Sequence, residues 1–164
     1  MKRFYFDHNA TTPVSDEVFQ AIAPMMTEVF GNASSIHDFG QRARHALDDA
    51  RRKVAALIGA KAEEIVFTSG GTEADNMALF GVSGHVITTT VEHPAVLQAA
   101  AQLPEVTIVP VNSRGVVDPQ DVRTAIRSDT RLISVMHANN ELGVIQPVAE
   151  IGRASCRERV SYHV

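Results

Sequence analysis

The sequence has little cysteine, no long apolar run and no excess of positive charge, and each shortage excludes a class of protein. Its 164 residues include one cysteine, Cys156, which excludes an internal disulfide framework and a cysteine-rich metal site. No run of roughly 18 apolar residues is present, so no transmembrane helix and no membrane partner are predicted. The 15 Lys and Arg against 19 Asp and Glu give a net charge of −4, which argues against nucleic acid as a partner.

The composition that remains is that of a globular chain. Hydrophobic residues make up 45% and charged residues 21% of the sequence, enough apolar material for one domain core. The amino terminus reaches Asp7 before any apolar signal segment forms, so no signal peptide is predicted. The expected location is the cytoplasm.

Hydrophobic periodicity predicts an α/β fold with a mostly parallel sheet. An amino-terminal segment, 1–60, should hold a lead-in strand, a helix from Asp16 to about Glu28 that kinks or restarts at Pro24, a loop, and a long helix. That long helix is predicted over 38–58 and should end at Gly59. From 61 to 150, strands should alternate with helices, and the predicted strands are 65–67, 85–88, 106–109 and 132–136.

The stretch from Thr68 to Thr72 follows the first of those strands and precedes a helix. A strand that turns through glycines into a helix presents backbone N–H groups at the positive end of the helix dipole, and such a turn can bind phosphate. Gly71 and Thr72 are the candidates. An ordinary strand-to-helix turn is the alternative, since the spacing matches neither the dinucleotide motif nor the P-loop.

His93 and Asn140 follow two other predicted strands, and the carboxyl ends of parallel strands are where ligands bind in such sheets. The imidazole of His93 could be a general base or stack on a flat ring, or it could simply cap a helix. The amide of Asn140 could bond a phenolate or carboxylate oxygen, or it could shape a turn.

The remaining polar candidates have simpler explanations. Glu73 and Asp75 stand in the first turn of a predicted helix, where acids suit the helix dipole. His8 and Asn9 could line a site or form a turn, and the turn is favoured. His137 has no metal-ligand spacing, so no metal site is predicted.

Five motifs occur together in one order, and in that order they resemble the NifS/IscS-type cysteine desulfurases of the class-V aminotransferase family. They are Asp7–Pro13, Gly31–His37, Thr68–Asn76, Glu92–Pro94 and Met136–Val144. The resemblance implies the fold of the type I pyridoxal 5′-phosphate (PLP) transferases, with 61–150 as part of the large PLP-binding domain. It implies PLP as cofactor and L-cysteine as substrate, with alanine and an enzyme cysteine persulfide as products.

The resemblance also implies roles for single residues. Gly71 and Thr72 would hold the cofactor phosphate, and His93 would stack over the pyridine ring and transfer protons. Asn140 would bond near the ring oxygen and the substrate, and Asn9 would border the substrate pocket. The implied partners are a sulfur-acceptor or scaffold protein and a second copy of the chain, in a homodimer that serves iron–sulfur cluster or thio-cofactor synthesis.

Two features depart from the family. The lysines are Lys2, Lys53 and Lys61, and none stands in the family's Schiff-base motif, which would lie beyond residue 164. Cys156 does not match the persulfide cysteine either, so this chain alone is predicted to be inactive. Residues 151–164 resemble a translated sequencing adapter and are predicted to be a non-native tail, although a diverged family strand near 161–164 is the alternative.

Other functions stay open at this point. A related class-V PLP enzyme, such as a selenocysteine lyase or an aminotransferase, would share most of these motifs. A module that binds phosphate or PLP without turnover, and an inactive partner that dimerises with a complete homologue, are the non-enzymatic readings.

Overall fold

The computed structural model describes residues 3–157 and 161–163, which form two compact units, 1–67 and 68–164. The first unit contains α1 (Asp16–Thr27), α2 (Asp38–Ile58) and a single 3₁₀ turn (Ala62–Glu64). The second unit contains α3 (Gly71–Phe80), β1 (His85–Thr89), α4 (Pro94–Ala100), β2 (Val106–Val109), α5 (Pro119–Ala125), β3 (Thr130–Ser134), β4 (Ala138–Asn139), β5 (Val144–Ile145), α6 (Val148–Arg157) and β6 (Ser161–His163).

The helices of the first unit begin and end at the predicted signals. The hydroxyl of Ser15 caps α1 by accepting a hydrogen bond from the backbone N–H of Val18. The helix continues through Pro24 to Thr27 and does not restart there. At the end of α2, Gly59 adopts a left-handed conformation with φ of 70°, which a glycine adopts at little cost.

Two predicted strands of the first unit are wrong. The lead-in around 4–13 is irregular with one turn, and 65–67 forms no strand and has no paired neighbour among the described residues. Val66 and Phe67 are both exposed. A strand is stable only when its backbone is paired, so an apolar β-prone triplet does not suffice here.

A parallel four-stranded sheet organises the second unit, in the order β2-β1-β3-β6. All five residues of β1 are buried, as expected for a central strand covered on both faces. The prediction of a mostly parallel α/β sheet is therefore confirmed. A two-residue antiparallel hairpin, β4 with β5, was not predicted.

Alternate residues of the strands face two apolar clusters. One cluster lies on the α3 and α4 side and contains Leu79, Val86, Val96, Ala99 and Leu132. The other lies on the α5 and α6 side and contains Ile87, Val109, Val117, Val122, Ile133, Val135 and Ile151. Burying one such aliphatic side chain contributes about 1.5–3 kcal/mol relative to leaving it exposed, so the sheet is held from both faces.

The predicted non-native tail includes α6 from Ile151 onward and β6, and β6 pairs in parallel with β3. Residues 158–160 and 164 of that tail lie outside the described residues. The origin of the tail stays a prediction.

Candidate functional site at the carboxyl ends of the strands

The turn that leads into α3 has the features expected of an anion-binding site. Gly70 precedes the ten-residue helix, which begins at Gly71, and the first N–H groups of a helix have no partner within it. A Cβ placed on either glycine would meet nothing within 4 Å, so the approach to these N–H groups is open. The hydroxyl of Thr72 stands at the next position and is a further donor.

A carboxylate closes this turn from the helix side. The side chain of Glu73 accepts a hydrogen bond from the backbone N–H of Ser69 at 2.6 Å. That bond, with a second from the Ser69 hydroxyl, lowers the pKa of Glu73. The sequence-based reading of Glu73 as a local stabiliser of the helix start agrees with this contact.

His93 is the N-cap of α4, where its Nδ1 accepts a hydrogen bond from the backbone N–H of Ala95 at 3.1 Å. The capping role that the sequence left open is therefore present. It also has a chemical consequence, because a neutral imidazole that accepts at Nδ1 carries its proton on Nε2. The exposed ring thus has Nε2 as its available donor.

The structure brings His93 and Asn140 to the same cleft. This cleft has a volume of about 270 Å³ and is also lined by Glu92, Met136 and Asn139. The exposed Asn140 stands in the loop between β4 and β5. Two residues predicted from separate strand ends therefore border one space.

A second cleft, of about 330 Å³, connects His93 to α3. Its lining includes Asp75, Glu92, His93, Met136 and His137. Asp75 follows Gly71 and Thr72 by one helical turn, which puts it on the same side of the helix. The candidate phosphate-binding turn, the imidazole and the amide consequently belong to neighbouring parts of the second unit.

Glu92 is a site residue to which the sequence gave no role. Its side chain is 6% exposed. It accepts hydrogen bonds from the Thr89 hydroxyl at 2.6 Å and from the backbone N–H of Met136 at 3.0 Å. Burial raises the pKa of Glu92 and these donors oppose the rise, while the like charge of Asp75 adds to it. The sequence shows only an acid directly before a His-Pro pair, and neither its burial nor its contact with Met136 can be read from that pattern.

Asn139 was also missed. It is 9% exposed, and its Oδ1 accepts hydrogen bonds from the backbone N–H groups of Glu141 and Leu142 at 2.9 and 2.7 Å. The loop that carries Asn140 is therefore shaped by the asparagine beside it. Of the adjacent Asn-Asn pair, the first asparagine is buried and the second is exposed.

His8 and Asn9 lie in the first unit, in a turn where the Tyr5 and His8 rings are nearly perpendicular with centroids 5.0 Å apart. This agrees with the favoured turn reading. The substrate-pocket role of Asn9 stays a prediction. In the part of the chain that the structure describes, no group of three or more His, Cys, Asp or Glu is arranged to hold a metal ion.

A cavity of the first unit is unrelated to this chemistry. It measures about 560 Å³ and lies beside α2, where Arg44 pairs with Asp48. Arg51 donates to the carbonyl of Ile65, and its guanidinium lies 5.0 Å from the centroid of the Phe67 ring. These arginines are engaged in local contacts, so the cavity gives no reason to assign it a ligand.

The family model for class-V aminotransferases matches residues 4–164. The chain belongs to the class-V aminotransferase family. Among curated relatives it is 48% identical to the cysteine desulfurase IscS of Dictyoglomus turgidum, over 99% of this chain and 44% of that protein. It is also 48% identical to the cysteine desulfurase IscS of Methanosarcina thermophila, over 99% of this chain and 43% of that protein.

Solved structures of this family share the fold. A NifS-like protein superimposes with a TM-score of 0.91 at 39% identity and covers 99% of this chain, which covers 48% of that protein. A structure titled SspA in complex with cysteine has the same TM-score at 36% identity, with coverages of 97% and 49%. The chain thus spans less than half the length of the relatives it matches.

The class-V aminotransferases to which this chain belongs are PLP enzymes. The residues present fit PLP: an open helix N-terminus with a threonine hydroxyl suits its phosphate, and a flat exposed imidazole beside an amide suits its ring and ring oxygen. Among the described residues, no helix is both long and apolar enough to cross a membrane.

Proposed function

We propose that the protein carrying this chain is a PLP-dependent cysteine desulfurase. It takes the sulfur of L-cysteine onto an enzyme cysteine as a persulfide and leaves L-alanine. The observation that carries the proposal is the cleft shared by His93 and Asn140, next to the helix that begins at Gly71. The relatives named cysteine desulfurase support the reaction type.

The start of α3 binds the cofactor phosphate. The backbone N–H groups at Gly71 and Thr72 and the Thr72 hydroxyl are the donors, and the helix dipole favours the negative charge. When bound, PLP supplies the electron sink for bond breaking at the amino acid. The protein's own contribution in this half of the site is to anchor and orient.

His93 handles a proton at Nε2. Its Nδ1 is held by the backbone N–H of Ala95, so the ring is oriented with Nε2 as the exchanging atom. The flat ring also offers a stacking surface. The side-chain amide of Asn140, across the same cleft, donates to an oxygen of the cofactor ring or of the substrate carboxylate.

The remaining parts of the proposal come from the resemblance. The lysine that binds PLP and the persulfide cysteine belong to the portion of the relatives that this chain does not match. Asn9 borders the substrate. The assembly is a cytoplasmic homodimer that delivers sulfur to an acceptor or scaffold protein for iron–sulfur cluster or thio-cofactor synthesis.

The test is product analysis with the full-length protein and PLP. We expect equal amounts of L-alanine and transferred sulfur from L-cysteine. His93→Ala should keep the cofactor but lower kcat by about 10²- to 10⁴-fold, the usual contribution of a general acid–base group. His45→Ala is the matched control, because His45 is exposed on α2 and bonds the carbonyl of Gln41.

Competing substrates separate this function from its relatives. The solved relative titled in complex with cysteine favours L-cysteine, so turnover of L-selenocysteine alone would instead indicate a selenocysteine lyase. Amino-group transfer to a keto acid would indicate an aminotransferase. Purified 1–164 with added PLP should release no sulfide above a heat-killed control, and release would contradict the lysine assignment.

A further inference from the structure

Two contacts between a side chain and a backbone group join segment 91–93 to segment 136–140, and in both the donor lies on the 136–140 segment. From the loop after β1, the carboxylate of Glu92 accepts from the backbone N–H of Met136, with both oxygens at 3.0 Å. From the end of β4, the Nδ2 of Asn139 donates to the carbonyl of Val91 at 2.8 Å. Each loop therefore holds the backbone of the other through one side chain.

These contacts continue the sheet past the end of its ladder. The last paired residues of β1 and β3 are Ile87 and Ile133. Beyond them, the two chain segments have no strand pairing with each other, and buried polar side chains supply the connection instead. Leaving such buried polar side chains without a hydrogen-bond partner costs free energy. The contacts therefore hold the two loops in place.

Both side chains make further hydrogen bonds. Glu92 also accepts from the Thr89 hydroxyl at 2.6 Å, and Asn139 also accepts from two backbone N–H groups of its own loop. Both are nearly buried. Each immediately precedes one of the two residues at the cleft, since Glu92 is followed by His93 and Asn139 by Asn140.

We propose that Glu92 and Asn139 form a reciprocal clamp that sets the spacing between His93 and Asn140, and that both are positioning residues for the reaction. The proposal rests on the proposed function for its catalytic consequence. It requires no contact between the clamp and the substrate. It predicts that loss of either contact moves His93 relative to Asn140 while the sheet stays folded.

The experiment uses the full-length protein with PLP and three variants: Glu92→Gln, Asn139→Asp and the double variant. A glutamine turns an N–H₂ group toward the Met136 N–H or gives up one of the acceptor contacts. An aspartate places an oxygen against the Val91 carbonyl but keeps the acceptor for the loop. The controls are Glu105→Gln, which removes an exposed ion pair with Arg127, and Asn112→Asp, which changes another loop-shaping asparagine.

The first readout is amide hydrogen exchange, which does not depend on activity. The Met136 amide should exchange about tenfold faster or more in Glu92→Gln, as expected for loss of one buried hydrogen bond. In Asn139→Asp, the Glu141 and Leu142 amides should keep their protection. Unchanged exchange at Met136 would overturn the clamp.

The second readout is the split between kcat and KM, together with the absorbance of bound PLP. Misplacement of a catalytic group by about 1 Å can cost on the order of 10²-fold, so kcat should fall about ten- to a hundredfold with KM and bound PLP little changed. The double variant should lose less than the product of the two single losses, since the contacts share one geometry. Both controls should behave as wild type.

The other possible outcomes of the experiment also test the proposed clamp. Lower melting temperature with unchanged kcat per PLP-bound enzyme would reduce the clamp to a stabilising contact and overturn the proposal. If Glu92→Gln does not fold, Thr89→Val, which removes one donor to Glu92 and leaves Met136 in place, should give a smaller kcat loss. If the wild type has no desulfurase activity, the proposed function fails, while exchange at Met136 and the spectrum of bound PLP still test the clamp.

Discussion

The two units of the chain differ in how much of their apolar surface is buried. Among the described residues, the buried aliphatic side chains other than Ala55 belong to the second unit. In the first unit, α1 has no buried residue, and Phe19 and Met26 on it are 65% and 75% exposed. The second unit has a sheet with an apolar cluster on each face.

This difference shows which unit determines the geometry of the candidate site. The turn at Gly71, His93 and Asn140 all belong to the unit with its own core, so their arrangement does not depend on the packing of α1 or α2. Helices of 12 and 21 residues gain most of their stability from packing of an apolar face. The first unit therefore contributes helices that need a partner surface, and the second unit contributes the residues of the candidate site.

The largest predicted effect comes from separating the two units between Phe67 and Thr68. Residues 68–164 should keep a cooperative thermal transition, followed by circular dichroism, because both faces of the sheet remain covered. Residues 1–67 should show no cooperative transition and little helix, since their apolar side chains have little to pack on. A sharp, cooperative melting of 1–67 alone would contradict the comparison.

A core substitution tests the same difference within the intact chain. Ile133 is fully buried in β3, and Ile133→Ala should lower the free energy of unfolding by about 2–5 kcal/mol through lost burial and a cavity. Ile22 on α1 is 46% exposed, and Ile22→Ala should cost less than about 1 kcal/mol. Denaturant unfolding of both variants measures the difference, and Ile133→Val, at about 0.5–1.5 kcal/mol, checks the cavity argument. Equal losses at the two positions would show that α1 is packed as tightly as the sheet.

Much of the fold could be predicted because its signals are local. The bounds of α2 follow from a helical period and Gly59, and β1 and β2 follow from short apolar runs. The hairpin of β4 and β5 has two residues in each strand, too few to show a period. β3 lies two residues earlier than predicted, because its pairing with β1 begins at Thr130.

The residues of the site likewise divide into those that the sequence could predict and those that it could not. His93 and Asn140 were candidates because their residue types follow strands, which is visible in the sequence. Glu92 and Asn139 act on backbone groups 44 and 48 residues away, so no local pattern contains their role. Only the parallel pairing of β1 with β3 brings those groups within reach.

The smallest predicted effect is on the pH dependence of folding stability, compared between one carboxylate from each unit. Hydrogen bonding from Lys53 lowers the pKa of Asp49 on α2, whereas burial raises the pKa of Glu92. Asp49 therefore stabilises the fold above its unfolded pKa, and this contribution is lost as the pH falls through the lower folded pKa. For Glu92 the sign is opposite: the stability linked to its protonation is complete below the unfolded pKa and is lost as the pH rises through the higher folded pKa.

Urea unfolding of wild type, Asp49→Asn and Glu92→Gln over a pH series measures both signs. The stability difference between wild type and Asp49→Asn should be small, and it should vanish in high salt because the pair is exposed. It should shrink on acidification below about pH 3.8. The difference between wild type and Glu92→Gln should instead favour wild type most at low pH and shift toward the variant above about pH 4.5. Slopes of the same sign would mean that Glu92 is not buried as the structure has it. The contrast between the exposed carboxylate of Asp49 on α2 and the buried carboxylate of Glu92 would then fail.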